Sequence, residues 1–286
     1  MLKLRLAKIL YFLARLLYRS DTQTVVRNGI KYELDLSEGI DLAMFLFGSF
    51  QKHVSQNKYL PLQADAVIFD VGANFGIMTL QFAKAAPLGK VYAFEPTSYA
   101  FSKLQKNLSL NQQLAERIVA VRCFVSSNNT EQPNIDKVYA SWKVTSQSRA
   151  ARHKIHGGIE TPVGSVQSVT LDSFCMQNQI NRLDLIKIDT DGHEYEVLEG
   201  ARQTIGKFRP AVIFEIGLYL MEEAGIDFGH FLDFFDSMKY RLCDSKTGTG
   251  ITAANHSRFI PVSSTIDILA LPSCPEKSDD TIKKNL

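Results

Sequence analysis

A glycine-containing turn between an apolar run and an amphipathic segment is the first place in this chain where ligand binding is expected. The run AVIFD, residues 66–70, predicts a buried strand, and the sequence DVGANFG continues it from Asp70 to Gly76. Gly72 and Gly76 have no Cβ atoms, so the backbone can turn sharply and a ligand can come close. The N–H groups of the helix that begins there point towards that ligand. The residues of the turn predicted to bind it are Asp70, Gly72, Ala73, Asn74 and Gly76.

A second carboxylate supports the same site. The run KVYAF, residues 90–94, predicts the next strand, and Glu95 and Pro96 follow it directly. In doubly wound folds an acid at this position hydrogen-bonds the ribose hydroxyls of an adenine-containing ligand. The turn lacks the complete GxGxxG of dinucleotide-binding proteins, and the carboxylate of Asp70 disfavours a pyrophosphate. These features favour S-adenosylmethionine, which has a sulfonium and a zwitterionic amino-acid tail, over NAD as the cofactor.

An alternation of apolar runs and amphipathic segments supplies the elements that position these residues. It predicts an α/β fold with a doubly wound, mostly parallel sheet and right-handed crossovers. Because the fourth strand lies beside the first in such a sheet, Asp189 is expected next to the Asp70–Gly76 turn. The predicted strands span residues 66–70, 90–94, 118–125, 183–189, 210–216, 240–244 and 265–272, and the predicted helices span residues 38–50, 76–86, 97–110, 193–205 and 227–236.

Three separated blocks of the sequence, with their spacing, resemble the FkbM-type methyltransferases. They are FDVGANFGIMTL followed by AFEP, then LDLIKIDTDGHEYEVLEGA, then PAVIFEI, within roughly residues 65–216. The resemblance implies a class I, Rossmann-like methyltransferase with a seven-stranded sheet. It also implies O-methylation of a hydroxyl on a sugar, a glycolipid or another hydroxylated metabolite. The chain has Asp191 where this family commonly has Glu, and His193 where it commonly has Ala, which leaves the roles of both residues open.

Methyl transfer to an alcohol needs alignment of the acceptor oxygen and benefits from a base that removes its proton. Asp189 is expected to orient either the amino group of the donor or the acceptor hydroxyl. His193 is a candidate base because its reference pKa lies near neutrality, although a helix N-terminal residue without chemistry is the alternative. Glu215, at the end of the strand over residues 210–216, is an equal rival. No metal site is predicted, since the His and Cys residues lack ligand spacing.

Composition places the chain among ordinary globular proteins. It has 286 residues and a net charge of +2 from 32 basic and 30 acidic residues, so no nucleic-acid partner is expected. The cysteines are unclustered and show no CxxC spacing, which predicts reduced thiols and a cytoplasmic location. The expected partner is a small-molecule or glycan acceptor. The four cysteines are Cys123, Cys175, Cys243 and Cys274.

Four segments describe the domain organisation. Residues 1–20 predict a basic amphipathic helix, and residues 21–64 a cap with a helix and a hairpin around Asn28-Gly29, a type I′ signal. Residues 65–272 are expected to form the methyltransferase domain, and residues 273–286 a polar tail. Within the domain, residues 126–164 interrupt the alternation of predicted strands and helices. They predict a long excursion with a weak hairpin, which is either a functional insertion or a solvated loop.

The helix over residues 1–19 has two interpretations. When the residues are projected on a helix at 100° per residue, a leucine-rich face lies on one side and Arg5, Lys8, Arg15 and Arg19 lie on the other. The basic residues interrupt the apolar length that a spanning helix needs, and there is no signal-peptide cleavage site. The face is therefore expected either to contact an anionic membrane surface peripherally or to pack on the body of the protein or a second subunit in a homo-oligomer. The residues of the apolar face are Leu2, Leu6, Ile9, Leu10, Leu13, Leu16 and Leu17.

Two rival functions remain on the sequence alone. An NAD-dependent oxidoreductase would use the same architecture but would be favoured by a complete GxGxxG motif, which this turn lacks. A catalytically silent scaffold that binds an adenosine-containing ligand at a membrane would bind the donor equally well. Turnover on an acceptor distinguishes that scaffold from an enzyme.

Overall fold

The computed structural model describes residues 2–60, 62–133, 135–145, 153–155 and 157–273, with side chains from Leu6 onward. Apart from Ser273, the predicted polar tail lies outside these residues. The strands are β1 (Thr22–Arg27), β2 (Ile30–Asp35), β3 (Val67–Val71), β4 (Lys90–Phe94), β5 (Ile118–Val121), β6 (Phe124–Val125), β7 (Lys137–Ser141), β8 (Ile159–Pro162), β9 (Ser168–Val169), β10 (Leu185–Ile188), β11 (Ala211–Ile216), β12 (Tyr240–Asp244), β13 (Gly250–Ile251) and β14 (Ile266–Pro272). The α-helices are α1 (Leu2–Leu17), α2 (Gly39–Phe47), α3 (Lys52–Ser55), α4 (Ile77–Ala85), α5 (Ser98–Ser109), α6 (Gln112–Ala115), α7 (Leu171–Gln177), α8 (Glu194–Glu199), α9 (Arg202–Phe208), α10 (Leu218–Glu223) and α11 (Phe228–Ser237), with a 3₁₀ turn at His256–Arg258.

The main sheet confirms the doubly wound, mostly parallel architecture. Within the described residues its strand order is β13-β12-β14-β11-β10-β3-β4-β5, and the five strands from β11 to β5 run parallel. The strand β14 lies antiparallel to β11 and to β12. The predicted number of seven strands is one too low, because the edge strand β13 has only two residues and shows no periodicity.

Alternate side chains of the central strands face two separate cores. Phe69 and Ile186 point to the core covered by α7, α8, α9 and α11, whereas Ile68 and Leu185 point to the core under α4. All four side chains are fully buried. Strands that are buried on both faces read as continuous apolar runs, which is why the sequence identified them.

The predicted strand over residues 118–125 is two strands in different sheets. Its first half, β5, pairs with β4, and its last hydrogen bond runs from the Glu95 N–H to the Val121 carbonyl at 3.2 Å. Because β4 ends at Phe94, the second half has no neighbour left in the main sheet. Phe124 and Val125 pair instead with β9, which carries them across the carboxyl edge of the sheet.

The predicted helix over residues 193–205 is also divided, into α8 and α9. A Cβ atom at Gly200 would lie 2.1 Å from the Ser126 carbonyl oxygen, so the chain passes too close for a side chain there. The second helix then begins anew with its own cap. The Asp172 carboxylate accepts hydrogen bonds from the N–H groups of Gln203 at 3.0 Å and Thr204 at 2.7 Å.

The hairpin of the cap packs directly on the sheet. Asn28 and Gly29 have φ values of 50° and 73°, as the predicted type I′ turn requires. Ile30, Tyr32 and Leu34 of β2 are buried in the core under α4. The segment predicted as a cap therefore contributes to the core that carries the main sheet.

A buried carboxylate joins this cap to the excursion over residues 126–164, whose predicted hairpin is formed by β7 and β8. Glu38, immediately before α2, is 4% exposed. Its carboxylate accepts hydrogen bonds from the Tyr99 hydroxyl at 2.8 Å, the Ser141 hydroxyl at 2.8 Å and the Trp142 N–H at 2.7 Å. Of the basic stretch in this excursion, Arg149, Arg152 and His156 lie outside the described residues.

Replacing Glu38 by alanine should destabilise the protein. Glu38→Ala leaves two hydroxyls and one N–H without this acceptor inside the protein, so we expect the free energy of unfolding to fall by about 3 kcal/mol. Urea denaturation followed by circular dichroism measures the change, with Glu116→Ala, at an exposed position, as the matched control. Equal stability of the two variants would contradict a structural role for Glu38.

Candidate active site

A cavity lies at the carboxyl ends of β3, β4, β10 and β11. This is the edge of an open α/β sheet at which ligands bind. One end of the cavity, the turn end, is formed by the Gly72–Asn74 turn with Glu95 and Pro96. The other end, the carboxylate end, presents Asp189, Asp191 and Glu215. The remaining wall is formed by Ile40, Phe50, Gln51, Val71, Phe75, Ile77, Met78, Phe94, Cys123, Phe124, Val125, Val138, Tyr139, Ala140, Trp142, Lys187 and Thr190.

The glycine at position 72 is required by the protein itself. Gly72 has a φ of 76°, and a Cβ atom there would lie 1.8 Å from the Asp189 carbonyl oxygen. The turn after β3 and the end of β10 thus cross in direct backbone contact, which confirms that the fourth predicted strand lies beside the first. The absence of a side chain at Gly72 therefore serves this crossing, and not only the approach of a ligand as the sequence suggested.

Gly76 also serves packing, because it does not line the cavity. Its φ is 90°, it immediately precedes α4, and a Cβ atom there would lie 2.6 Å from Leu104 Cδ1. Asp70, the first residue of the predicted turn motif, is fully buried behind the turn. The cavity wall therefore includes only Gly72, Ala73 and Asn74 of the five turn residues predicted to bind a ligand.

Glu95 is fixed in position at the turn end. Its Oε2 accepts the Asn74 N–H at 3.0 Å, and its Oε1 accepts the Thr97 N–H at 3.0 Å and the Thr97 hydroxyl at 2.6 Å. Burial raises the pKa of Glu95, although these three donors oppose the shift. A carboxylate has about four acceptor positions, so one position on Oε2 remains for a ligand.

An apolar slot lies beside Glu95. Phe94 and Pro96 flank it in sequence, and Cys123, Phe124 and Val125 follow from the chain that leaves the main sheet after β5. Burial raises the pKa of the Cys123 thiol to about 12, so this cysteine acts as a small apolar group. A flat aromatic ligand with a polar edge fits between these walls and the carboxylate.

A buried lysine contacts a residue at each end of the cavity. Lys187 has a side chain 5% exposed, and its Nζ lies 3.2 Å from Asp70 Oδ1 and 3.6 Å from Asp189 Oδ2. It also donates to the Gly72 carbonyl at 2.9 Å. Burial disfavours the ammonium, but the charges of Asp70 and Asp189 outweigh that cost and raise the pKa of Lys187. The second oxygen of Asp70 accepts from the Thr79 hydroxyl at 2.5 Å.

The carboxylate end carries more negative charge than this lysine can balance. Burial raises the pKa of Asp189, although Lys187 opposes the shift. Burial and the charges of Asp189 and Glu194 raise the pKa of Asp191 well above its ordinary value. Burial, Asp189 and Asp191 do the same for the pKa of Glu215. This end of the cavity therefore favours either a proton or a cationic ligand.

Asp191 is held in an uncommon backbone conformation. Its φ is 52°, in the left-handed region, and Gly192 follows with a φ of 112°. The Glu194 carboxylate stabilises the turn by accepting the Thr190 N–H at 2.9 Å and the Gly192 N–H at 3.1 Å. No described hydrogen bond involves the carboxylate of Asp191, which lines the cavity. Strain of this kind is common where a backbone must aim a functional side chain.

His193 lies outside the cavity wall. Its ring packs edge-on against Phe124 with the ring centroids 5.3 Å apart, and its Nδ1 lies 3.9 Å from Glu196 Oε2. Glu196 in turn accepts the Ser126 hydroxyl at 3.0 Å. Asp189 and Glu215 therefore line the same cavity, whereas His193 does not line it and packs against Phe124.

Lys187 and the aromatic wall of Tyr139 and Trp142 were not predicted from the sequence. A charged residue inside the run LIKI was the available signal for Lys187, because a lysine in a doubly buried strand needs partners. The excursion over residues 126–164 gave no pattern that placed its aromatic residues at the sheet edge. Among the described residues, no group of three His, Cys, Asp or Glu side chains is arranged to hold a metal ion.

Removing the lysine should destabilise the fold. Lys187→Met leaves Asp70 buried without its counter-charge, so we expect the free energy of unfolding to fall by about 3 kcal/mol. Chemical denaturation measures the loss, and Lys246→Met, in an exposed turn, is the matched control. A variant as stable as the control would mean that the buried charges are balanced without Lys187.

Known proteins share this sequence pattern. The 2-O-methyltransferase NoeI of Sinorhizobium fredii is 25% identical over 149 residues, which are 51% of this chain and 61% of that protein. The hexuronic acid methyltransferase AglP of Haloferax volcanii is 25% identical over 167 residues, 58% of this chain and 59% of that protein. The chain thus spans less than two thirds of the length of either relative.

The chain is also similar to a solved structure and to a family domain. The methyltransferase FkbM of Methylobacillus flagellatus KT has a TM-score of 0.48 at 16% identity, covering 76% of this chain and 47% of that one. The methyltransferase FkbM domain matches residues 70–242. Because this match spans more than half of the sequence and includes most segments that form the cavity, the chain belongs to the FkbM methyltransferase family.

Proposed function

We propose that this protein is an S-adenosylmethionine-dependent O-methyltransferase that acts on a hydroxyl of a sugar, a glycolipid or another hydroxylated metabolite. The observation that carries the proposal is the single cavity in which Glu95 at one end faces Asp189, Asp191 and Glu215 at the other. Membership of the FkbM family and the 2-O-methyltransferase among its relatives support the same reaction.

The residues of the cavity fit S-adenosylmethionine. The remaining acceptor position on Glu95 Oε2 suits a ribose hydroxyl, and the slot lined by Phe124 and Val125 suits the adenine ring. The excess negative charge at the carboxylate end suits a ligand with a sulfonium and an ammonium group. A pyrophosphate would meet that same negative charge, which argues against NAD and against an oxidoreductase.

The bound donor supplies a methyl group already activated for displacement, so the task of the protein is to align the acceptor and exclude water. Lys187 and Asp189 fix the crossing of the two loops that line the cavity. Tyr139 and Trp142 add aromatic rings to the wall of the cavity. Ring faces of this kind pack on the apolar surface of a sugar, and the neighbouring carboxylates accept its hydroxyls.

Asp191 is the best-placed base for the acceptor hydroxyl. Its raised pKa makes it a stronger base than an ordinary carboxylate, and its oxygens have no hydrogen-bond partner among the described residues. Glu215 is second, because its Oε1 already accepts the Thr265 hydroxyl at 2.7 Å. Asp189 is committed to Lys187 and acts in positioning, while His193 is separated from the cavity by Phe124.

We further propose a cytoplasmic location. The unclustered cysteines of the sequence fit a reducing compartment. Cys123, Cys175 and Cys243 are all buried as free thiols, and burial raises the pKa of each of them.

Weakening the ribose contact should weaken donor binding. In Glu95→Gln the charge is lost while the shape is kept, so we expect the dissociation constant for S-adenosylhomocysteine to rise about tenfold. Isothermal titration calorimetry measures it, with Glu116→Gln as the exposed control and NAD as the non-binding comparison. Tight binding of NAD, or unchanged donor affinity in a folded Glu95→Gln protein, would contradict the donor assignment.

Removing the proposed base should slow methylation far more than it weakens donor binding. Asp191→Asn retains a residue that tolerates the left-handed backbone, and we expect kcat to fall about a hundredfold. His193→Gln is the control and should keep a rate near that of the wild type. A glycan or glycolipid extract with radiolabelled donor provides the assay. If His193→Gln loses more activity than Asp191→Asn, the base is misassigned.

The pH dependence gives an independent reading of the same assignment. A carboxylate base works only when deprotonated, so the rate should rise with pH through its raised pKa. We therefore expect the acidic limb of the wild-type profile above the ordinary carboxyl range of about 4. In Asp191→Asn that limb should disappear. A limb that persists in Asp191→Asn and is lost in Glu215→Gln would transfer the role of base to Glu215.

A further inference from the structure

The helix α1 presents an apolar face to solvent. Ile9, Phe12, Leu13 and Leu16, which we call the outward face, are 57%, 62%, 50% and 68% exposed. No described helix is both long and apolar enough to cross a bilayer, and α1 has 16 residues. Contiguous apolar side chains of this size on a surface mark a site of interaction.

The helix is held on the body by its other side. Ala14 is buried in a small cluster with Leu36 and Leu42, and Leu10 and Tyr11 pack against it. The Tyr11 hydroxyl also donates to Asp21 at 2.8 Å. Of the predicted apolar face, Leu10 is the only member with a described side chain that contributes to this contact. The contact therefore fixes the orientation of α1 and leaves the outward face uncovered.

The segment that contains the outward face carries charge of one sign. Residues 1–20 contain five basic residues and no acidic one. The exposed side chains of Lys8 and Arg19 have no hydrogen bond or ion pair among the described residues, while Arg15 pairs with Asp21 at 3.1 Å. On a helical projection, Lys8 and Arg15 border one edge of the outward face, and Arg19 lies two residues beyond Leu17, where α1 ends.

We propose that the outward face of α1 binds the surface of an anionic lipid bilayer, with the helix lying in the plane of the membrane. An apolar face bordered by basic residues is the pattern of helices that insert at the level of the headgroups. Anionic headgroups attract Lys8 and Arg19 while the apolar side chains enter the acyl boundary. Symmetric pairing with a second copy would instead bring like charges together, which disfavours a dimer on this face.

The same cap builds one wall of the cavity, which links the membrane to the acceptor. The inner side of α1 packs on Leu42 of α2, and Ile40 of the same helix lines the cavity. Glu38, next to α2, holds the N–H of Trp142 in the cavity wall. On the proposed function, which this step assumes, the acceptor is a hydroxyl compound carried on a lipid anchor.

Vesicle co-sedimentation of the full chain tests the surface. The wild type should bind vesicles of phosphatidylcholine mixed with phosphatidylserine and should bind phosphatidylcholine alone much more weakly. Combined Ile9→Gln, Leu13→Gln and Leu16→Gln should lower the partition coefficient about a hundredfold. The matched control combines Leu88→Gln, Met176→Gln and Val262→Gln, which are 78%, 75% and 77% exposed elsewhere, and it should bind like the wild type.

A charge variant tests the attraction between the basic side chains and the anionic headgroups. Lys8→Gln with Arg19→Gln should weaken binding to the mixed vesicles about 30-fold, and added salt should weaken the wild type in the same direction. Because all these positions are exposed, the variants should keep the melting temperature of the wild type. If the variant of the outward face fails to fold, the charge variant and the salt series decide the question.

Two results would overturn the proposal. In the first, the wild-type chain remains in the supernatant with both kinds of vesicle. In the second, ultracentrifugation finds a dimer that the variant of the outward face converts to monomer, which assigns the face to a second copy. Donor titration of the same samples keeps the two claims separate, because a protein that binds S-adenosylhomocysteine but not vesicles fails only the membrane proposal.

Discussion

The buried ammonium of Lys187 is the interaction on which the site depends. It lies between Asp70 at the end of β3 and Asp189 just after β10, the two neighbouring strands at the centre of the sheet. An unpaired charge at this depth would be costly, and each carboxylate offsets the burial of the lysine as the lysine offsets theirs. The same ammonium donates to the Gly72 carbonyl, so one cation contacts both strand ends and the turn that follows β3.

The turn after β3 and the loop after β10 differ in conformation. The backbone crossing of Gly72 and Asp189 leaves no space for a side chain and makes the turn end rigid. Beyond the crossing, the chain turns through the left-handed Asp191, stabilised by the buried Glu194. The turn end presents the carboxylate of Glu95, which is fixed by its hydrogen bonds. The carboxylate end presents Asp191, whose carboxylate has no hydrogen-bond partner among the described residues. In the proposed reaction, the first surface would recognise the donor and the second would remove the proton of the acceptor.

The sequence predicted the parts of the site that depend on the order of strands. The position of Asp189 beside the Asp70 turn follows from the few arrangements open to parallel sheets with short crossovers. The position of Glu95 follows from its place directly after the adjacent strand. The direction of His193 could not be predicted, since it depends on the φ values of Asp191 and Gly192 immediately before it. From the sequence, the cap is expected only as a segment that precedes the domain. The folded chain shows that β2 and α2 of this cap complete the core and the cavity of the domain.

A crystal structure with S-adenosylhomocysteine bound tests the central claim most directly, since it locates the nucleoside and the sulfur together. We predict a ribose hydroxyl within hydrogen-bonding distance of Glu95 Oε2, the adenine ring against Phe124, and the sulfur facing the carboxylate of Asp191. A nucleoside bound outside this cavity, or one whose ribose points away from Glu95, would contradict it.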